Sequence, residues 1–167
     1  MTAVIGIREK NKVYLGCDSA FSNNVCIYMS SMNKVFKNSG YLIGYSGSLK
    51  HGEIIKHLKL PKCNDLNIDR FMVNDLMPFI ARNLPKSNSV ELLIGFKGRL
   101  FHMQSDMSVI SHAENFDAIG VGSQYSIGAL YALRKTNLLS KQKIRIALEI
   151  TERFCPSVRR PFKILSI

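Results

Sequence analysis

Residues 1–19 read Met-Thr-Ala-Val-Ile-Gly-Ile-Arg-Glu-Lys-Asn-Lys-Val-Tyr-Leu-Gly-Cys-Asp-Ser, and the fold and the function both depend on this stretch. The apolar residues at positions 3–9 and 12–18 predict two short β-strands. The polar residues 10–12 between them suit a tight turn. Thr2 precedes the first strand and Asp18 ends the second, so a hairpin would bring the two residues together.

Thr2 is the first candidate catalytic residue. Methionine before a small residue such as threonine is commonly removed, and Thr2 would then carry a hydroxyl nucleophile and an α-amine base on one residue. An α-amine titrates at about 7.7–8.0, so much of it is neutral at pH 7, and a nearby ammonium lowers its pKa further. Taken alone, Thr2 is more simply interpreted as the second residue of a strand, and its neighbours are what favour a catalytic role.

Lys34 and Gly47 extend this hypothesis. Lys34 lies in another predicted short strand, where Asp18 could hold its ammonium and the ammonium could polarise the Thr2 hydroxyl. Gly47 lies in a turn from strand to helix, where a backbone N–H could face a developing oxyanion. Loss of one such donor typically slows a reaction by ~10²–10³.

The order of predicted elements indicates an α+β protein. Strands, two helices, strands, two helices and a last strand follow one another. This order predicts two antiparallel sheets stacked face to face with a helix pair outside each, in one domain spanning residues 1–167. Ser48 and Ser140 are the predicted N-caps of two helices, and Pro78 is predicted to bend a third. The predicted strands are 3–9, 12–18, 25–29, 34–36, 41–45, 90–96, 99–103, 106–111, 116–120 and 162–167, and the predicted helices are 49–60, 68–83, 124–135 and 140–154.

The net charge of +11 is concentrated near the C-terminus, where residues 134–163 hold nine basic and two acidic side chains. A solvated basic face is the simplest explanation, and docking of an acidic partner stays open. No nucleic-acid-binding motif accompanies the charge, so nucleic acid is not the expected partner. No apolar run approaches the ~18–20 residues of a membrane span, and the start lacks a signal-peptide pattern. We therefore expect a soluble, cytoplasmic protein without membrane contact.

The four cysteines include no C-x-x-C pair, so neither a disulfide framework nor a structural zinc site is expected. His51 and His57 are six residues apart, a spacing that does not place them on one helix face. We interpret the histidines as non-ligands and predict neither a metal nor a cofactor.

Five segments fall in the order and spacing of the proteasome β-type peptidases. This chain most resembles the HslV-like peptidases of bacterial two-component ATP-dependent proteases, from Thr2 to about residue 154. The resemblance implies an N-terminal nucleophile hydrolase fold, a four-layer αββα sandwich. The segments are Thr2-Ala-Val-Ile-Gly-Ile, Leu15-Gly-Cys-Asp-Ser, Asn33-Lys-Val, Gly44-Tyr-Ser-Gly-Ser and Ala118-Ile-Gly-Val-Gly-Ser.

The resemblance also implies a role for each matching residue. Thr2 would be the nucleophile, Asp18 would pair with Lys34, and Lys34 would tune the threonine. Gly47 would supply the oxyanion N–H, and Leu49 would shape the pocket for the substrate side chain before the scissile bond, with an apolar preference.

A threonine endopeptidase acting on peptides or unfolded polypeptides follows from the resemblance. Its subunits would form homo-oligomeric rings that enclose the active sites, and an AAA+ ATPase unfoldase would feed them. Val121 departs from the pattern, because the family usually has a serine there. This departure favours the alternative of a catalytically inactive structural or interaction subunit, and retention of Met1 would favour it too. A small-molecule amidase and a nucleic-acid-binding module stay open as further alternatives.

Overall fold

A computed structural model describes residues 2–22, 26–86 and 90–167 of the chain. Met1, whose removal the sequence predicts, lies outside these residues. So do Asn23 and Asn24, where a polar loop is predicted, and Val25, the predicted first residue of a strand.

The described residues form strands close to the predicted ones, with a short additional strand after Asp18. The strands are β1 (Val4–Glu9), β2 (Lys12–Cys17), β3 (Ala20–Ser22), β4 (Ile27–Met29), β5 (Val35–Asn38), β6 (Tyr41–Gly47), β7 (Val90–Phe96), β8 (Arg99–Met103), β9 (Val109–Ile110), β10 (Phe116–Ile119) and β11 (Lys163–Ser166).

The helices also follow the predicted order. They are α1 (Leu49–His57), α2 (Ile68–Phe71), a π-helical segment (Met72–Leu76), α3 (Met77–Asn83), α4 (Ser123–Leu133) and α5 (Ser140–Phe154). None of the helices in the described ranges is both long and apolar enough to cross a bilayer.

Two antiparallel sheets carry the fold, and the hairpin predicted from residues 1–19 lies in the middle of the first. Its strand order is β10-β1-β2-β11, and the pairing of Glu9 with Lys12 leaves a two-residue turn. The second sheet has the order β5-β6-β7-β8-β9. Its central hairpin turns at Lys97 and Gly98, whose φ angles of 47° and 72° suit a tight hairpin turn. A separate two-stranded sheet pairs β3 with β4.

The sheets face each other, and a group of helices covers the outer face of each. The alternation of side chains along β1 places Val4 between the sheets and Ile5 under α4 and α5. Helices α1 to α3 pack on the second sheet through the apolar stripe that the sequence predicts. The predicted four-layer αββα sandwich is confirmed. The buried residues between the sheets are Val4, Val13, Leu15, Cys17, Val35, Leu42, Leu93 and Ile119.

Several local predictions need correction. Ser48 caps α1 as predicted, accepting a hydrogen bond from the His51 N–H at 3.4 Å, but the helix ends at His57 rather than residue 60. Ser140 is the first residue of α5, and the extended residue before it, Leu139, is the N-cap; the Ser140 hydroxyl donates to Glu9 Oε2 at 2.9 Å. The strand predicted at 106–111 shortens to β9, since Met107 takes a positive φ of 70° that ends regular pairing.

Where the sequence predicts a bend at Pro78, the structure has a π-helical turn. The Met77 N–H bonds to the carbonyl of Met72 five residues earlier, and Pro78 follows directly. Proline has no N–H to contribute to a helix. The missing donor therefore falls where the hydrogen-bond register returns from the π to the α pattern.

Candidate active site

Asp18 lies beside Thr2 because the β1–β2 hairpin ends at both residues. The Asp18 N–H donates to the Ala3 carbonyl at 3.3 Å, which continues the pairing of the two strands by one step. The Thr2 hydroxyl then donates to Asp18 Oδ1 at 3.3 Å, and the Ala3 N–H donates to the same oxygen at 3.0 Å. The hairpin alone thus places a hydroxyl against a carboxylate.

Lys34 completes this cluster from the second sheet. It directly precedes β5, and its ammonium donates to Asp18 Oδ1 at 2.8 Å and to the Ala20 carbonyl. Its Nζ also lies 4.7 Å from the centre of the Phe21 ring. The second oxygen of Asp18 accepts the Ala20 N–H at 3.0 Å. Lys34 and Asp18 are each only 1% exposed, so they form a buried ion pair whose polar atoms have partners.

Burial dominates the electrostatics of this cluster. It lowers the pKa of Lys34, and the charge of Asp18 and the hydrogen bond to it oppose that change. Burial also raises the pKa of the neighbouring Cys17 to about 12, and the negative charge of Asp18 adds to this effect. Because a thiolate and not a thiol is the reactive form, Cys17 is not a competing nucleophile.

Thr2 is itself buried, with 3% of its surface exposed. The turn between β10 and α4 closes over it, since the Gly122 N–H lies 3.4 Å from the Thr2 carbonyl oxygen. Gly120 has a φ of 89°, and a Cβ there would lie 2.4 Å from that same oxygen, so this close approach requires glycine. Val121 between them is half exposed and offers no hydrogen-bonding side chain where the resemblance implies a serine.

Gly47 and Leu49 lie on the neighbouring sheet and helix. Gly47 ends β6 with a φ of 101°, a conformation that favours glycine, and it is exposed in a cleft of 180 Å³. Leu49 begins α1 and is 39% exposed. Ser46, which precedes Gly47, lies next to the Thr2 cluster. A Cβ placed on Gly120 would lie 2.8 Å from the Ser46 hydroxyl oxygen as well as 2.4 Å from the Thr2 carbonyl oxygen. In the described ranges, neither Gly47 nor Leu49 hydrogen-bonds to Thr2.

The structure adds two features that sequence reasoning missed. The Arg159 N–H lies 3.5 Å from Asp18 Oδ2, and the Arg159 carbonyl accepts the Ser19 N–H at 3.0 Å, so the late loop reaches the cluster. These backbone contacts join residues far apart in the sequence and leave no local signal. The second feature is a group of possible metal ligands formed by His102, His112 and Asp117, which lie in separate elements.

Comparison with known proteins finds similarity in both sequence and fold. No family model matches the chain. The chain is 24% identical over 161 residues to the ATP-dependent protease subunit HslV of Caldicellulosiruptor saccharolyticus, a match that covers 92% of this chain and 91% of that protein.

Two solved structures share the fold over nearly their whole length. BPH from Thiobacillus denitrificans, solved in complex with epoxomicin, is 19% identical with a TM-score of 0.82, covering 99% of this chain and 98% of that one. Eukaryotic HslV from Trypanosoma brucei is 16% identical with a TM-score of 0.75, again over 99% and 98%. The resemblance to HslV-like, proteasome β-type proteins predicted from the sequence is therefore confirmed.

Proposed function

We propose that this HslV-like chain is a threonine endopeptidase subunit in which Thr2, exposed by removal of Met1, is the nucleophile. The observation that carries the proposal is the shared oxygen of Asp18: Oδ1 accepts hydrogen bonds from the Thr2 hydroxyl and from the Lys34 ammonium. This arrangement places the positive charge of Lys34 close to the Thr2 hydroxyl. Burial of both residues holds them in place.

The chemistry then follows from the position of each group. The Thr2 oxygen attacks the carbonyl carbon of the scissile peptide bond, and its proton passes to the α-amine of Thr2. The Gly47 N–H stabilises the negative oxygen of the tetrahedral intermediate. As the peptide C–N bond breaks, the leaving amine takes the proton and an ester to Thr2 remains. A water molecule hydrolyses that ester by the reverse proton path and regenerates the threonine.

Lys34 and Asp18 support this sequence without being consumed. The lowered pKa of Lys34 reflects an ammonium held away from water. Its positive charge in turn disfavours protonation of a nearby α-amine, which keeps that amine available as a base near neutral pH. We extend the proposal to Leu49, which would line the pocket for an apolar substrate side chain. Assembly into homo-oligomeric rings, cytoplasmic location and an ATPase partner belong to the same proposal.

A non-catalytic subunit of the same fold is the second candidate, and two observations favour it. Thr2 is only 3% exposed, so little of the residue is open to a substrate. Val121 supplies no polar group beside it. This candidate predicts that Met1 is retained and that the protein assembles without hydrolysing peptides.

Intact-mass measurement and a fluorogenic peptide assay decide between the candidates. We expect the mass to show loss of one methionine residue, and a chain prepared to begin at Thr2 to hydrolyse peptides with apolar residues before the scissile bond. Thr2→Ala should abolish turnover. Epoxomicin, which BPH binds, serves as a probe whose binding should also require Thr2.

Thr136→Ala is the matched control, because Thr136 is an exposed threonine just after α4 whose hydroxyl donates to the carbonyl of Leu133, the last residue of that helix. It should retain the activity of the parent. Equal turnover by Thr2→Ala and the parent would refute the threonine mechanism. A chain beginning at Thr2 that assembles but never hydrolyses peptides would instead establish the non-catalytic candidate.

A further inference from the structure

We propose that His102, His112 and Asp117 form a binding site for a divalent transition metal ion, with Zn²⁺ as the best-fitting ion. The site is separate from the Thr2 cluster. Asp117 pairs with Gly6 in the register of β1 and β10, four residues from Thr2, or about 13 Å along the strand.

Three different elements bring the ligands together. His102 lies in β8 of the second sheet, Asp117 lies in β10 of the first sheet, and His112 lies in the segment that leads from β9 to β10. The neighbours of Asp117 in β10, Phe116 and Ala118, pack under the helices. The strand alternation therefore directs the Asp117 side chain towards the space between the sheets, where His102 meets it.

Three buried atoms of this cluster make no hydrogen bond within the described part of the chain. Asp117 Oδ2 lies 2.8 Å from His102 Nδ1 and 2.8 Å from His112 Nε2. Both contacts are ion pairs when the imidazoles carry a proton, but Asp117 Oδ2 and both His102 nitrogens are buried and make no hydrogen bond among the described residues. Asp117 is only 4% exposed, so an unpartnered carboxylate oxygen there is costly unless something else binds it.

A metal ion would satisfy Asp117 Oδ2 and one nitrogen of His102 together, because each residue of the cluster offers it one ligand atom. Two imidazole nitrogens and one carboxylate oxygen are ligands that Zn²⁺ accepts in tetrahedral sites. The three ligand atoms all lie within 4.8 Å of one another. Ligand atoms of a tetrahedral zinc site are about 3.3 Å apart. The two contacts of Asp117 would open by about half an ångström, and the two histidine nitrogens, which lie within 4.8 Å of each other, would adjust to the same separation.

The surroundings suit such a site. The other oxygen of Asp117 accepts the Ala118 N–H at 2.7 Å, which orients the carboxylate as outer-shell hydrogen bonds do around metals. The His112 side chain is 39% exposed and gives an ion access from solvent. Three protein ligands leave a fourth position for water. A bound ion would tie β8 to β10 and thereby join the two sheets at one edge.

Metal titration of the assembled protein tests the proposal. We would strip the protein with a chelator and then measure Zn²⁺ binding by competition with a chromophoric chelator, with Co²⁺ absorption as an independent report of tetrahedral coordination. We expect one Zn²⁺ per chain and a Zn²⁺-dependent rise in Tm. His112→Ala should weaken binding by more than about tenfold, and Asp117→Asn should do the same.

His57→Ala is the matched control. His57 is an exposed histidine on α1 whose Nε2 lies 3.8 Å from Glu53, so it also pairs an imidazole with a carboxylate. The Zn²⁺ affinity of the His57→Ala variant should equal that of the parent protein. The proposal is overturned if the parent binds less than one Zn²⁺ per chain in the Co²⁺-tetrahedral form, or if both His112→Ala and Asp117→Asn bind it as tightly as the parent. Because the readout is metal binding, a lack of peptidase activity leaves this test unaffected.

Discussion

Two carboxylates are buried in the described part of the chain, and they differ in how their charge is accommodated. Asp18 has hydrogen-bond donors on both oxygens and a lysine ammonium at 2.8 Å. Among the described residues Asp117 accepts a hydrogen bond on Oδ1, and its Oδ2 lies 2.8 Å from a nitrogen of each of two histidines without forming a hydrogen bond. Burial is nearly the same, at 1% and 4% exposure.

The difference shows what each site is built to hold. The Asp18 cluster is complete within the chain, so its charges serve to fix Lys34 and Thr2 in place. The Asp117 cluster is incomplete within the described residues, and its unpartnered atoms converge on one point. A buried polar group that lacks partners in an otherwise well-packed protein points to a ligand.

Breaking the Asp18–Lys34 pair should have the largest effect on stability. Lys34→Met leaves the Asp18 carboxylate buried without its counter-ion, and Asp18→Asn leaves the ammonium unpaired. Each should lower the free energy of unfolding by about 3–5 kcal/mol in urea titrations. The double variant should recover most of that loss, because it leaves no uncompensated buried charge. Under the proposed function, all three variants lose peptidase activity.

The matched control is the exposed pair of Asp69 and Arg99, which is bidentate with distances of 2.6 and 2.8 Å. Asp69→Asn should change the free energy of unfolding by less than about 1 kcal/mol, because water solvates an exposed charge that loses its partner. If Lys34→Met cost no more than Asp69→Asn, the Asp18 cluster would not depend on its ion pair.

Much of the Asp18 cluster could be predicted because its key partners follow from local patterns. The alternating apolar residues and the turn at Lys10 specify the hairpin, and the hairpin alone brings Asp18 to Thr2. The αββα layers follow similarly from the element order. The role assigned to Lys34 needed the family resemblance as well as its position in a short strand, and the structure brings it to Asp18 from the second sheet.

The Asp117 cluster could not be predicted from the sequence. His102 and His112 are separated in the chain by β9 and an irregular segment, so no periodic pattern places them together. Their meeting depends on the packing of one sheet on the other. The N-cap predicted at Ser140 is wrong by one residue, and the Ser140 hydroxyl bonds to Glu9 near the other end of the chain.

The pH dependence of unfolding under alkaline conditions should test the burial of Cys17, the residue that precedes Asp18. Burial raises the pKa of Cys17 from 9.0 to about 12 in the folded chain, so only the unfolded thiol ionises in the lower part of that range. The stability that Cys17 contributes is therefore complete below pH 9 and is lost as the pH rises towards 12. The free energy of unfolding should fall by up to about 1.4 kcal/mol per pH unit from this group alone.

Cys17→Ala removes this contribution and should flatten the alkaline part of the stability curve. The lowered pKa of Lys34 acts in the opposite direction, since the unfolded lysine stays protonated up to about pH 10.5 while the folded one releases its proton earlier. Lys34 is present in both proteins, so the difference in slope between them reports mainly on Cys17. Identical slopes from urea titrations across the alkaline range would contradict a buried neutral thiol.

The smallest expected effect is that of Asp117→Asn in the metal-free protein. The substituted amide would keep the shape of the side chain and remove a charge that finds no hydrogen-bond donor on Oδ2, so the change relieves a desolvation cost rather than leaving a partner unpaired. At mildly alkaline pH we expect the free energy of unfolding to change by less than about 1 kcal/mol, or to rise, in contrast to the loss expected for Asp18→Asn. Urea titrations of both variants, each with and without Zn²⁺, measure this directly. If the two substitutions destabilised the metal-free protein equally, the histidines would already satisfy Asp117. If Asp117→Asn left the free energy of unfolding unchanged and abolished its response to Zn²⁺, a metal ion would be the partner of Asp117.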